Sequence, residues 1–168
     1  GSSVAAIDGN GRIENISGTI RVCNSGTTNS QVAVAALAAG GVAVNAGIAT
    51  AINLTKVRTY VGKNVTVSAP NALLVVSHDF TANAQGGILS ISAGAVATGA
   101  CVVVVVNKLD ARAYVGFAPD ETVTGESGSI QVRSITVTAE AAGKTEVLGA
   151  GIAGGAIAGN GIVAVGLG

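Results

Sequence analysis

The sequence predicts an all-β fold in which about three congruent segments stack in parallel, rung upon rung. Three observations predict it. The only two tyrosines stand in the same phrase, Arg58-Thr59-Tyr60-Val61-Gly62 and Arg112-Ala113-Tyr114-Val115-Gly116, each with an asparagine (Asn53, Asn107) just ahead of its arginine. Short runs alternate apolar and polar residues with Val, Ile and Thr, as half-buried strands do. Turn residues punctuate those runs. A fixed period of roughly 54–58 residues marks a stack of supersecondary units, each burying against its neighbour an apolar face that it cannot bury alone.

The repeats run over about 1–56, 57–110 and 111–168, within a single stacked segment covering 1–168. In the first, Asp8-Gly9-Asn10-Gly11 and Ser25-Gly26 read as turns around the strand phrase Ile20-Arg21-Val22. In the second, Asn64 to Ser68 alternates and Pro70-Asn71 punctuates. Leu74-Val75-Val76 and Gln85 stand one period after Ile20-Arg21-Val22 and Gln31. The third follows with a shift of about two to five residues, which puts Ile130-Gln131-Val132 in the role of Leu74-Val75-Val76. It also has a longer turn around Pro119-Asp120-Glu121, a Gly125-Glu126-Ser127-Gly128 turn, and alternation over Ser129–Arg133 and Ile135–Thr138. Strands of about 4–6 residues would give two or three coils per repeat and a rod ~30–45 Å long at ~4.8 Å per rung. Equivalent side chains would then form ladders: Tyr60 with Tyr114, Asn53 with Asn107, and Ile20 with Leu74 and Ile130.

Three long charge-free stretches, Val32 to Leu54, Gly86 to Val106 and Val147 to Gly168, meet the length of a membrane helix. Their content argues otherwise. Gly40-Gly41, Gly86-Gly87 and Gly154-Gly155 interrupt them, Asn and Ser sit inside them, and alternation persists in Val32-Ala33-Val34 and Val42-Ala43-Val44. They read as walls where backbones approach closely, so that only small and β-branched residues fit.

The composition agrees with thin layers. The chain of 168 residues is 49% apolar, yet has only two Phe and two Tyr and no Trp or Met. Charged residues make up 11%, nine basic against nine acidic, which favours neither nucleic acid nor an anionic surface. The first residues, Gly1-Ser2-Ser3, lack an initiator methionine, and Gly159 to Gly168 stops in mid-pattern without a polar cap. Stacked folds need capped ends, so the chain is expected to be a piece of something longer.

No catalytic residue, cofactor-binding residue or metal ligand is assigned. Cys23 and Cys101 align with Ser77 and Gly47, out of phase with each other, and read as small buried apolar residues too many coils apart for a disulfide. His78 precedes Asp79, but neighbours on a strand face opposite ways, so His78 reads as a surface residue at a strand end. Asp8-Gly9-Asn10-Gly11 offers too few oxygens for calcium. Asp120, Glu121 and Glu126 could flank a sugar bond but read as an exposed loop. Asn15, Asn53 and Asn64 open N-x-Ser/Thr triplets that read as chance matches. Arg58 and Arg112 read as scaffold, stacking on a ring or pairing with Asp110.

An Ala/Gly-rich stretch ending in Val106-Asn107, then Arg-x-Tyr-Val-Gly, then an alternating Thr/Val strand, resembles the repeats of very large bacterial surface proteins: filamentous, leukotoxin-like and autotransporter-type adhesins. The resemblance implies a right-handed parallel β-solenoid (β-helix), export to the cell surface, and a role as an adhesive rod or filament, with no catalytic residues. It departs from the pattern where Gly166 falls in place of Asn53 and where the first repeat lacks the tyrosine phrase. The functional expectation is therefore a structural or adhesive segment, not an enzyme. Its partners would be neighbouring repeats or sister filaments and a host surface or glycan, with no nucleic acid, no membrane span and no cofactor. The rival expectations are a β-helix carbohydrate-active or carbohydrate-binding module, a flat threonine array for crystalline surfaces, and toxin-like membrane action through the charge-free runs.

Overall fold

A computed structural model describes residues 1–123, 125 and 128–168; of the predicted loop residues, Glu126 and Ser127 lie outside this set. Among the described residues there is no helix. The strands are β1 (Ser2–Ile7), β2 (Arg12–Glu14), β3 (Gly18–Ala39), β4 (Val42–Gly62), β5 (Thr66–Ala93), β6 (Val96–Gly116), β7 (Ile130–Gly154) and β8 (Ile157–Leu167). One sheet has the order β1-β4-β6-β8; in the other, β5 pairs with β2, β3 and β7.

The period of the sequence is the register of the sheets. β1 runs parallel to β4 with Ala6 beside Tyr60, and β2 parallel to β5 with Ile13 beside Val67. The same offset, 54, carries Gln31 onto Gln85 and Asn29 onto Asn83. The amide of Val96 donates to Gly41 O, which continues that offset from β4 to β6. Two details of the sequence reading are corrected. The step to the third repeat is longer: Val96 pairs with Ile157 and Val106 with Leu167, an offset of 61 that Gln85 and Glu146 share. Near the start of β7, Val67 donates to Ser129 O, so Ile130 lies beside Val67 and not in the Leu74 row.

The strands are also far longer than expected. β3 has 22 residues and β5 has 28, so each repeat supplies one long passage to each sheet and not several short coils. Alternation runs straight through Ser25-Gly26, expected to be a turn, and through Gly86-Gly87. Gly26 stays in strand because a Cβ there would lie 2.7 Å from the Phe80 ring, and Gly86 because a Cβ would meet Val105 at 2.5 Å. Only Pro70-Asn71 disturbs the parity of β5, where two consecutive residues face out. In the preceding rung the chain breaks at that level, with Asn15 and Gly18 at positive φ between β2 and β3. Gly40-Gly41 and Gly154-Gly155 do act as turns, between β3 and β4 and between β7 and β8.

The chain divides into two compact units. Unit 1 comprises Gly1–Thr27, Thr55–Thr81 and Leu109–Ala142; unit 2 comprises Thr28–Leu54, Ala82–Lys108 and Gly143–Gly168. The core of unit 1 joins Val22, Val65, Val67, Leu74 and Val76 to Val61, with Ile7, Ile20, Val115 and Ile130 packed around them. The core of unit 2 joins Ala49, Ala51, Cys101, Val103 and Val105 to Ala84 and Ile88. Alternate residues point inward along β3 and β4 and along β5 on either side of Pro70-Asn71, and the buried side chains are mainly Val, Ala, Thr and Ser with almost no aromatic one. Val32 to Leu54 is the end of β3, a turn and most of β4; among the described residues no helix is long and apolar enough to cross a membrane.

Unit 2 also holds an internal row of amides. Asn53 Nδ2 donates to Thr28 O (3.4 Å) and Asn83 O (3.0 Å), and Asn107 Nδ2, one rung on, to Ala82 O (2.8 Å) and Lys144 O (3.2 Å). Asn45 Nδ2 donates to Ala36 O and Ile91 O, and Asn160 Nδ2 to Ser90 O. Each inward amide thus donates its NH2 to the backbone of the facing sheet, which ties the two layers in register, while Asn107 Oδ1 has no partner among the described residues.

Candidate functional site

The densest cluster of polar and aromatic side chains lies in unit 1, on the outward rows of β4 and β6. Strand parity there turns outward the half-buried side chains of Arg58 and Tyr60 on β4 and of Asp110, Arg112 and Tyr114 on β6, and the repeat register sets like beside like. The rings of Tyr60 and Tyr114 stack with centroids 4.9 Å apart and planes 3° from parallel. This distance is the interstrand spacing of a sheet, so the stack follows directly from register.

The same register sets Arg58 beside Arg112, which would repel, and Asp110 resolves the conflict. Arg58 Nη2 meets Asp110 Oδ2 at 2.6 Å and Arg58 Nη1 donates to Asp110 O at 3.0 Å. Arg112 Nε meets Asp110 Oδ1 at 3.1 Å and Arg112 Nη1 meets Asp120 Oδ2 at 2.9 Å. The Arg58 hydrogen bond, with help from Arg112, holds the Asp110 carboxyl below the usual carboxylate range. The hydrogen bond to Asp110, followed by that to Asp120, holds the Arg112 guanidinium above its ordinary value.

The glycines that close the two phrases have different causes. Gly62 leaves room for the Asp8 side chain, whose Oδ2 accepts from Tyr60 Oη at 2.9 Å. Gly116 takes φ 91° where β6 ends. The hydrogen bond to Asp8 pushes the Tyr60 hydroxyl above its ordinary pKa, and burial does the same for Tyr114. Asp8 itself sits in the expected turn, where Oδ1 accepts from the Gly9 amide at 2.8 Å.

Two of the loop acids, Asp120 and Glu121, are engaged in this network. Glu121 pairs with Lys63, which also lies 5.4 Å over the Phe117 ring. The Lys63 hydrogen bond lowers the pKa of Glu121; a backbone amide, then Arg112, lowers that of Asp120. Both are therefore ionised acceptors at neutral pH and hold no proton to donate. Among the described residues, no group of three or more His, Cys, Asp or Glu is placed to hold a metal ion.

Two expectations fail on strand parity. His78 is buried at 2% exposure, because it shares the inward row of Leu74, Val76 and Phe80, while Asp79 faces out as expected. Burial lowers the His78 pKa, and neither ring nitrogen has a hydrogen-bond partner among the described residues. Cys23 is exposed, on the outward side of the row that buries Val22, and Ser77 Oγ lies 3.4 Å from its Sγ one rung away. Cys101 is buried as expected, 3.3 Å from the space that a Gly47 Cβ would fill. Of the asparagines opening N-x-Ser/Thr triplets, Asn53 is buried, and Asn15 and Asn64 are exposed.

Sequence reading missed Asp8 as the tyrosine's partner and missed the Asn45–Ser90–Asn160 cluster. Both carry a register signal: Asp8 falls one period before Gly62, and Asn160 falls one longer step after Gly99, its partner in the register of β8 on β6. The ladders Gln31–Gln85 (2.9 Å), Asn29–Asn83 (2.9 Å) and Gln85–Glu146 (2.6 Å) line the outer face of β3, β5 and β7 in unit 2. The cluster thus consists of ladders that lock rungs together, with its charges paired and its ring faces turned toward each other.

Compared with known proteins, the chain matches no family model, no curated protein and no solved structure.

Proposed function

We propose that this chain is a segment of a right-handed parallel β-solenoid that serves as structural and adhesive length in a bacterial cell-surface or secreted repeat protein, and not as a catalyst. The observation that carries this reading is the Tyr60–Tyr114 stack at the repeat period, alongside parallel pairing at the same offset in both sheets. A chain whose congruent segments pair in parallel extends by adding repeats, each satisfying the backbone of the one before. Its mechanism is geometric. Inward amides and small side chains hold the layers together, and the outward rows present flat surfaces to neighbouring repeats, sister filaments, or a host surface or glycan.

Two experiments test it. In a Ser77→Cys variant, the new thiol lies one rung from exposed Cys23, so mild oxidation should close an intrachain disulfide in nearly every molecule. Failure to close it overturns the stacking. Antibodies to the segment should label intact cells of the source bacterium, and added segment should compete with those cells for attachment. Labelling only after permeabilisation overturns the surface assignment.

A further inference from the structure

Charge is segregated between the two units. Of the nine basic and nine acidic residues, only Lys108, Lys144 and Glu146 fall in unit 2. Within that unit, one outer face has no charge at all. It is formed by Val42 to Ile52 of β4, Val96 to Val106 of β6 and Ile157 to Leu167 of β8, and its outward residues are apolar apart from Thr50 and Thr98. Large side chains stand in solvent there: Ile48 is 76% exposed, Val42 72% and Ile157 69%.

We propose that this face is the interface with a second copy of the chain, packed sheet against sheet. The inference deepens the structural reading above by naming the surface on which sister molecules meet. Area supports it. Three strands of eleven residues, at ~3.3 Å per residue and ~4.8 Å per strand, cover on the order of 500 Å² in projection. Two such faces bury about 1,000 Å², the lower bound for a specific interface and the size of a weak, reversible one.

The chemistry selects the occupant. A face without charges and nearly without hydrogen-bonding groups offers nothing to discriminate a partner by polar complementarity. It is matched instead by a surface of equal flatness, equal apolarity and equal twist, and a second copy provides all three, since packed sheets align through their common twist. A lipid bilayer is the poorer occupant. Its outward residues include no tryptophan, tyrosine, lysine or arginine to anchor the face at the headgroup level of a membrane.

The test is sedimentation of the whole chain across micromolar concentrations, with Ile48→Lys and Val102→Lys compared with wild type. The wild type should dimerise, and either lysine should weaken association roughly a hundredfold or more, since each dimer would bury two like charges. Leu89→Lys, on the outer face of the other sheet, should associate as wild type does. Because a lysine variant could misfold, Ala100→Cys in a Cys23→Ser background serves as the second arm; β6 is the central strand of the face, so oxidation should cross-link two chains through it. A monomeric wild type overturns the proposal, as do lysine variants that associate as tightly. So does a cysteine chain that does not cross-link where the wild type is dimeric. Binding to phosphatidylcholine vesicles in place of dimerisation overturns it in favour of lipid. A monomer that still closes the Cys23–Ser77→Cys disulfide refutes this face alone and leaves the stacking intact.

Discussion

Replacing Gly99 by alanine should destabilise the protein, although alanine is the better strand residue. Without a steric obstacle, Gly→Ala in a strand gains roughly 0.5–1 kcal/mol by restricting the unfolded chain. At Gly99 the new Cβ would lie 2.5 Å from Asn45 Oδ1, 2.7 Å from Asn160 Oδ1 and 2.8 Å from Ser90 Oγ. Those groups cannot swing away freely. Asn45 is held by its bonds to Ala36 O and Ile91 O, Asn160 by its bond to Ser90 O, and the Ser90 hydroxyl lies 2.9 and 3.1 Å from the two amide oxygens. Overpacking a filled interior costs about 1–3 kcal/mol, and losing one or two buried amide bonds adds about 1 kcal/mol each. The net loss should be ~3 kcal/mol, seen in urea unfolding followed by circular dichroism as a midpoint lowered by about 1.5 M for an m-value of about 2 kcal/mol/M. Gly87→Ala is the control: a Cβ there meets nothing within 4 Å, so the midpoint should hold or rise slightly. If both variants shift alike, or Gly99→Ala is neutral, the Asn45–Gly99–Asn160 row is not packed as described.

Further outcomes are expected. His78 is buried with a lowered pKa, so the unfolded chain binds its proton first as pH falls. Its contribution is flat above the unfolded value of about 6.5, and stability should decline below that toward the folded pKa. His78→Asn, which copies Asn24 one rung earlier, should remove the urea-midpoint slope between about pH 6.5 and 5, above the range where carboxylates titrate; an unchanged slope would assign it elsewhere. Tyr114→Ala should lose the stacking contribution of about 0.5–1.5 kcal/mol together with some buried area, and Tyr114→Phe should retain most of both; equal losses would deny the stack a role. Asp110→Asn leaves Arg58 and Arg112 beside each other without their shared carboxylate, so the urea midpoint should fall, and fall further at low salt. A loss independent of salt would point to packing instead of charge.

Much of the fold was legible because a parallel stack writes its register into the sequence. A constant offset is visible wherever the ladder needs a distinctive residue, and Tyr60 with Tyr114 and Asn53 with Asn107 are such residues. The third repeat was less legible. Its distinctive residue is Asn160, whose partner row runs through a glycine, so the longer step from β6 to β8 left little trace. Strand length was misread because Gly, Ser and Asn are ambiguous in a sequence. Gly26 and Gly86 are glycines of close approach, indistinguishable locally from the turn glycines Gly40 and Gly41 until the facing side chain is known.

Periodicity in the chain was therefore enough to establish an all-β architecture, parallel rungs, and most of which residues lie over which. Tertiary structure decided what lies between the rungs and across the layers. The burial of His78, the exposure of Cys23 and the inward amides all depend on strand parity carried along long strands and on the facing of one sheet by the other. Side chains that meet across layers share no constant offset, so no period in the chain announces them.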